Sequence, residues 1–521
     1  MHLGAGMDDT TATDTTATDT TAAHQRSVRL RARMRGGAVA AALAAALVAA
    51  CAPSTPPPDF VGAPASPHPV TAPPVPQNPY MATPASNLHA DSYQSDSQPT
   101  GGPLGSAPVV RRGGLGKYCV PTTRDSVGHV ISTCVSVPNY FLRVYDADLH
   151  VLGERFLGAG DLTGVLLTGQ LPIGGGTYFY IDNQDRVVLA DTANHFRVIR
   201  ITDDGNGGVT FSDDVDLDMT PWLRRDCPTT ANPHPAGVCE SVTSILPDWV
   251  SGHYWAVTSA GRVFLVDPST NSVSYVDLGE EIKNGFAVDE SGAYIATTFA
   301  VYGLHESAGA PVLDWRQAYD RGSGQKPGQL SWGTGTTPTL LGSDLVVIGD
   351  NADPMNVVFM DRRPVPAGPR VKCTVPVFGA GASGNENSVV GIGDSVIAGN
   401  TYGYDAFSLT PLSKTLPGGV VRIDIAPDRS SCTTVWRSST VWPSVLPRLS
   451  VANGLVYGYA LVQGRQDWYV EALDFATGVS AWRKYVGTGP NADNQWGTLT
   501  LFDGGAYLGM GSGTLRITDG P

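Results

Sequence analysis

"GFAVDESGAYIATT" (285–298) is two short apolar runs joined by Asp-Glu-Ser-Gly, the pattern of a β-hairpin closed by a tight turn. The same phrase returns in "YFYIDNQDRVVLAD" (178–191), "TSILPDWVSGHYWAVT" (243–258) and "TPTLLGSDLVVIGD" (337–350). It returns again in "NSVVGIGDSVIAGN" (387–400), "PRLSVANGLVYGYA" (447–460) and "GTLTLFDGGAYLGM" (497–510). A hairpin therefore recurs about every fifty residues, the period of a repeat architecture in which each unit is one small sheet. The runs are apolar at successive positions rather than alternately, as in strands covered on both faces. More polar strand sequence follows each hairpin, as in "GRVFLVDPSTNSVSYVDL" (261–278), where Asp-Pro-Ser-Thr-Asn-Ser supplies the turn. The expected fold is an all-β β-propeller over residues 108–521, with seven four-stranded blades and eight as the open variant. The segment 139–158 stands ahead of the first of these hairpins and is expected to complete the last blade, leaving no exposed edge.

Composition agrees with this reading. Charged residues make up 16% of the chain against about 25% in an average domain, and Gly reaches 61 of 521 residues against a usual share of about 7%. Strands and tight turns account for both departures.

The outer strands carry one further signal, "ALDFATGVSAW" (472–482). Its spacing, Ala472-x-Asp474-x-x-Thr477-Gly478-x-x-x-Trp482, resembles the tryptophan-docking repeat of the quinoprotein β-propellers. "WRQAY" (315–319) and "VWRSS" (435–439) resemble degenerate copies of it. The resemblance covers 108–521 at the level of repeat architecture and implies a propeller in which Trp482 packs on the neighbouring blade. It would also imply pyrroloquinoline quinone, but the vicinal Cys-Cys pair of that family is missing and no axial aspartate falls in a matching motif. The motif is therefore read as a fold signal and not as a cofactor signal.

Ahead of the propeller lies a targeting region. Five arginines between Arg26 and Arg35 precede the apolar run "GGAVAAALAAALVAA" (36–50), too short for an easy bilayer span. "LVAAC" (47–51) resembles a bacterial lipobox with Cys51 as the lipidated residue. Residues 1–50 are accordingly read as a signal peptide with an atypical extension, since "DDTTATDTTATDTTAAHQ" (8–25) is an unusual leader. A start at Met34 or near Val28 is the alternative. Residues 51–107, rich in Pro, Ala and Ser, are expected to be a disordered linker that holds the propeller off the membrane. The expected location is the cell membrane, lipid-anchored on the extracytoplasmic side.

Cysteine usage fits export. Apart from Cys51 there are six, and proximity in sequence suggests the pairs Cys119–Cys134 and Cys227–Cys239, leaving Cys373–Cys432. The formal charge is −14, and about −15 once residues 1–50 are removed. Such a surface repels phosphate backbones, so no nucleic-acid partner is expected.

In a propeller the loops entering the innermost strand and those between the second and third strands open on one face. Applied to the hairpins, that rule gathers Asp350, Asp353, Glu386, Asn387, Asn400 and Asp405 from neighbouring blades. Tyr402 and Trp496 are candidate pocket walls, and His195 and His305 candidate bases. Asp350, Glu386 and Asp405 could together hold a hard cation such as Ca²⁺. No nucleophile elbow, phosphate loop or metalloprotease helix is present in the sequence. Two functions follow: a binding propeller for a small molecule or protein, or a Ca²⁺-dependent hydrolase, lyase or lactonase. If Cys51 carries the lipid, Cys51→Ala should leave the precursor uncleaved or move the protein out of the membrane fraction. A processed, membrane-retained variant would refute the anchor.

Overall fold

The computed structural model describes residues 56–160, 176–225, 240–405 and 415–521. The signal segment, Cys51, Cys227 and Cys239 lie outside them. Within them the chain forms eight sheets of antiparallel strands, one per blade. Seven of the eight inner hairpins are those legible in the sequence, and they open blades two to eight. Blade one, which brings the number to eight rather than seven, comprises Tyr118–Arg124, Val130–Ser136, Asn139–Tyr145 and Val151–Ala159. Its innermost strand reads "YCVPTTR", with four hydroxyl- or charge-bearing residues and a proline, so it lacks the apolar phrase that marks the others.

The expected closure by 139–158 is not what the structure shows. That stretch forms the two outer strands of blade one. Blade eight instead takes three strands from the C-terminus, Leu499–Phe502, Gly505–Met510 and Gly513–Thr518, and its outermost strand, Val109–Gly113, from the N-terminal side. Val109 lies opposite Thr518 and Gly113 opposite Thr514. First and last segments of the domain thus share one sheet, and no blade is left with an open edge there.

Strand burial follows position in the blade. Second strands such as Gly292–Ala296 and Leu345–Gly349 are buried throughout, because neighbouring blades cover both faces. Outer strands such as Ser272–Asp277 alternate between exposed and half-buried.

The largest departure from expectation is the segment read as a linker. Phe60–Gly62 adds a strand to the outside of blade seven, paired with Ser480–Thr488. The chain then enters the central channel, where residues 85–98 are buried without exception. There it bonds to one inner strand after another. The N–H groups of Ile181, Val288, Leu340, Gly391 and Leu449 donate to the carbonyls of Ser86, Ser92, Tyr93, Ser95 and Asp96, at 2.7–3.0 Å. Thr123 Oγ1 donates to Ala85 O in blade one, and Leu501 N to Gln98 Oε1 in blade eight. Ser97–Gln98 also runs parallel to Arg448–Ser450, the innermost strand of blade seven. The segment is polar because it satisfies the channel-facing edges of the strands, and that polarity is what made it read as a linker.

Two of the three expected disulfides fall on described residues, and both are formed. Cys119–Cys134 ties the two inner strands of blade one, and Cys373–Cys432 joins the outermost strands of blades five and six.

Three tryptophans dock one blade on the next. Trp436 of blade six lies against Gly478 in the turn of blade seven and donates its Nε1–H to Phe475 O at 2.9 Å. Trp315 of blade four donates to Arg362 O, next to the third strand of blade five, at 3.0 Å. Trp482, fully buried, docks on blade eight, whose outer turn is divided between its C-terminal strands and the N-terminal side. A Cβ at Gly105 would stand 2.6 Å from its ring, and Asp519, just past Gly513–Thr518, accepts from the N–H groups of Leu104, Gly105 and Ser106. Its ring also stacks on Phe60 with centroids 6.5 Å apart.

Trp436→Ala should cost about 3–5 kcal/mol through the cavity it leaves. Gly478→Ala, whose new methyl would stand 2.5 Å from the Trp436 ring, should destabilise as well. Because both act on one contact, the double variant should lose much less than the sum. Additive losses in urea melts would show that the two residues act independently.

Candidate functional site

Just before each innermost strand, the chain passes the rim of the channel. There the loops of several blades and the channel segment enclose a cavity of about 120 Å³. Leu88 and His89 line it from the channel segment. Tyr118 and Tyr140 come from blade one, Tyr178 from the entry to blade two, and Asn284 and Thr337 from the entries to blades four and five. Glu386, Asn387 and Ser388 enter blade six, Leu446 blade seven and Trp496 blade eight.

Of the residues singled out in the sequence, Glu386, Asn387 and Trp496 are brought together here. The others are not. Asp350 caps its own turn: Oδ1 accepts from the backbone N–H of Ala352 and Asn356, and Oδ2 from Asn356 Nδ2 at 2.7 Å. Asp353 accepts from Gly381 N at 2.6 Å. Asn400 ties three loop segments, accepting from Gly384 N and Tyr402 N and donating to Ala382 O and Gly418 O. Tyr402 is half-buried beside that loop, and Asp405 is exposed. His195 pairs with Asp216 at 2.5 Å and His305 with Asp314 at 2.8 Å, both between outer strands of their own blades. Among the described residues no three His, Cys, Asp or Glu side chains gather as a metal site. Asp350, Glu386 and Asp405 therefore do not form the expected Ca²⁺ site. Asp350 spends its oxygens on its turn, and Glu386 faces a different cavity.

Sequence reasoning missed His89 entirely, because it lies in the segment read as a linker. Tyr178, Asn284 and Thr337 were within reach: they hold the same pre-strand position that picked out Glu386 and Trp496.

The polar chemistry of the cavity is unusual for a buried place. His89 is 1% exposed, its Nδ1 lies 2.9 Å from Asp96 Oδ2, and its Nε2 has no partner in the protein. Asp96 in turn faces Arg448 at 3.0 Å, both fully buried, and Arg448 donates to Leu88 O. Asn387 is 3% exposed and donates Nδ2 to Val445 O at 2.6 Å, leaving Oδ1 unpartnered. Glu386 Oε1 and Trp496 Nε1 are likewise unpartnered. A Cβ at Gly335 would stand 2.4 Å from Glu386 Oε1, so the carboxyl needs glycine there. The Trp496 ring is set edge-on against Tyr404, 5.1 Å away. Thr337 Oγ1 is unpartnered as well. Most buried polar atoms in folded proteins find a partner, and five that do not, around one cavity, mark a prepared site.

Burial pushes the Glu386 carboxyl up to about 8, only partly offset by the Leu330 backbone and by Lys283. The fold thus favours its protonated form. That contribution to stability is complete below the ordinary value of 4.5 and is lost as pH rises toward 8. Glu386→Gln keeps the shape without the titration. Its urea midpoint relative to wild type should be flat below about pH 4 and should climb between about pH 5 and 8. Asp91, raised to about 7, and Asp493, raised to about 6, titrate in the same direction but cancel in that difference. A difference independent of pH would mean that Glu386 is ionised at neutral pH.

No family model matches the chain. An uncharacterized protein of Archaeoglobus fulgidus is 30% identical over 296 residues, which is 50% of this chain and 58% of that protein. The chain thus spans under two thirds of the length of this relative. Among solved structures, the C-terminal WD40 domain of Sif2 aligns with 79% of this chain and 99% of its own, at 10% identity and a TM-score of 0.43. The β-propeller domain of Cps50 (Swd1) from Myceliophteria thermophila covers 67% of this chain and 98% of its own, at 9% identity and a TM-score of 0.37. A functionally unknown protein from Desulfotomaculum acetoxidans covers 67% and 92%, at 11% identity and the same TM-score of 0.37. The assignment of this chain as an eight-bladed propeller rests on its own eight sheets.

Proposed function

We propose that this protein is a lipid-anchored, extracytoplasmic binding protein that holds a small ligand in the cavity at the rim of its channel. One observation carries the binding reading: five unpartnered polar atoms, on His89, Thr337, Glu386, Asn387 and Trp496, line a cavity whose other walls are mostly aromatic and aliphatic side chains. A few convergent polar groups in an apolar pocket are the usual make-up of a small-molecule site. The exported, anchored setting is supported by the signal-like segment, the lipobox-like "LVAAC" and the disulfide-forming cysteines. The channel segment fixes the site by placing His89, and the blade entries supply the other walls.

The test is a thermal-shift screen of the full-length protein against a library of small polar metabolites. At least one compound should raise the melting temperature, with a stabilisation of about 2.7 kcal/mol at a hundredfold excess over Kd. Asn387→Ala and Glu386→Gln should reduce the shift while leaving the unliganded fold intact by circular dichroism. Shifts unchanged in both variants would place binding elsewhere, and a library without hits would remove the small-ligand reading.

A further inference from the structure

The unpartnered atoms of the cavity are unequally divided between donors and acceptors. His89 commits Nδ1 to Asp96, and in the Nδ1–H tautomer that this contact favours Nε2 is an acceptor. Asn387 donates its amide nitrogen to Val445 O, which fixes the amide and leaves Oδ1 as an acceptor. Glu386 Oε1 is the third acceptor, and it belongs to the one carboxyl lining the cavity. Against these stand the Trp496 Nε1–H donor and the Thr337 hydroxyl, which can donate or accept. Among the described residues lining the cavity there is no Lys or Arg, while aromatic rings come from Tyr118, Tyr140, Tyr178 and Trp496.

We infer that the ligand is an organic primary ammonium, whose three N–H donors meet Glu386, Asn387 and His89 while its alkyl part lies among the aromatic rings. This rests on the small-ligand reading above and gives it a chemical class. A carboxylate ligand would face three acceptors, and a neutral alcohol would bring no charge to Glu386, whose Oε1 has no hydrogen-bond partner. An ammonium supplies both the donors and the charge, and aromatic faces add attraction for a cation. A bare metal ion fits poorly, since no three ligating side chains converge among the described residues.

The inference carries a proton signature. Glu386 is mostly protonated at pH 7, because burial raises it to about 8. It must ionise to pair with the ammonium, so binding at pH 7 should expel close to one proton. Near pH 9.5 Glu386 is already ionised while an alkylammonium, with a pKa near that of Lys at about 10.4, remains charged, so binding there should expel none. Other charged or titratable groups face Glu386. Lys283 is paired with Glu281 at 2.8 Å, and burial raises Tyr178 to about 12, so its hydroxyl stays neutral at pH 7. His89 is the remaining group and is separated by its own variant.

The experiment is calorimetric titration of the full-length protein with n-butylammonium, n-butanol and n-butyrate, at about pH 7 and 9.5, in buffers of different ionisation enthalpy. The ammonium should bind at least tenfold more tightly than the alcohol and release about 0.9 proton at pH 7. Glu386→Gln should lose both the affinity and the release, whereas Glu386→Asp should keep part of each. In His89→Asn the release should persist with weaker affinity. Equal binding of butanol or butyrate, or full affinity in a folded Glu386→Gln, would overturn the inference. If library compounds stabilise the protein through Asn387 while n-butylammonium does not bind, the ammonium class falls and the small-ligand reading stands. If nothing binds, both fall.

Discussion

The ring depends on how its inner strands are satisfied. Eight blades arranged around an axis turn eight innermost strands toward the channel, each with backbone N–H and carbonyl groups that have no partner on that side. Buried backbone polar groups are almost always paired, and leaving one unpaired costs about as much as a lost hydrogen bond. Residues 85–98 meet this requirement by passing one carbonyl after another to the N–H groups of blades two, four, five, six and seven. The same chain then leaves the channel and supplies Val109–Gly113 as the last strand of blade eight. One stretch preceding the blades thus fills the centre and closes the circumference.

This explains which parts of the fold were legible in the sequence. Hairpins of blades two to eight announce themselves because their inner strands are apolar on both faces, as in Leu345–Gly349. Blade one hides because Thr122, Thr123 and Ser132 are buried yet hydrogen-bonded: Thr122 Oγ1 meets Ser132 Oγ at 2.8 Å, and Thr123 donates to Ala85 O. Satisfied hydroxyls bury as readily as methyl groups, but a hydropathy pattern cannot distinguish them from exposed ones. The channel segment was misread for the same reason. Its Asp, Ser and Gln residues look solvated in sequence and are buried in the structure, most of them bonded within the segment, as Ser95 is to Asp91, or to the blades, as Ser97 is to Gly391 O and Gln98 to Leu501 O. Disulfide pairing was simpler, because Cys119–Cys134 closes a short local hairpin and Cys373–Cys432 was reached by elimination.

The candidate site was legible to the extent that it obeys the repeat. Glu386, Asn387 and Trp496 stand directly before innermost strands, and that position faces the cavity. Asp350, Asp353 and Asn400 belong to loops between second and third strands, where backbone N–H groups consume their side chains, in Asx-type turns at Asp350 and Asn400 and across to Gly381 at Asp353. Acidic residues at a propeller mouth are thus of two kinds, and loop type separates them better than residue type does. His89 had no such signal, since nothing in the local sequence indicates that a histidine between Leu88 and Ala90 enters a channel built from residues more than twenty positions away.

The channel segment and the site are joined by one line of buried charge. Arg448 of blade seven faces Asp96, Asp96 holds His89 Nδ1, and His89 presents Nε2 to the cavity. A buried arginine and aspartate are tolerated only where each compensates the other, and Arg448 is further bonded to Leu499 O and Leu88 O. The guanidinium thereby fixes both the carboxylate that sets the His89 tautomer and the backbone next to His89. The group that orients the imidazole is therefore the group that seats the segment in the ring. The acceptor offered to a ligand is set by the same interactions that close the fold around it.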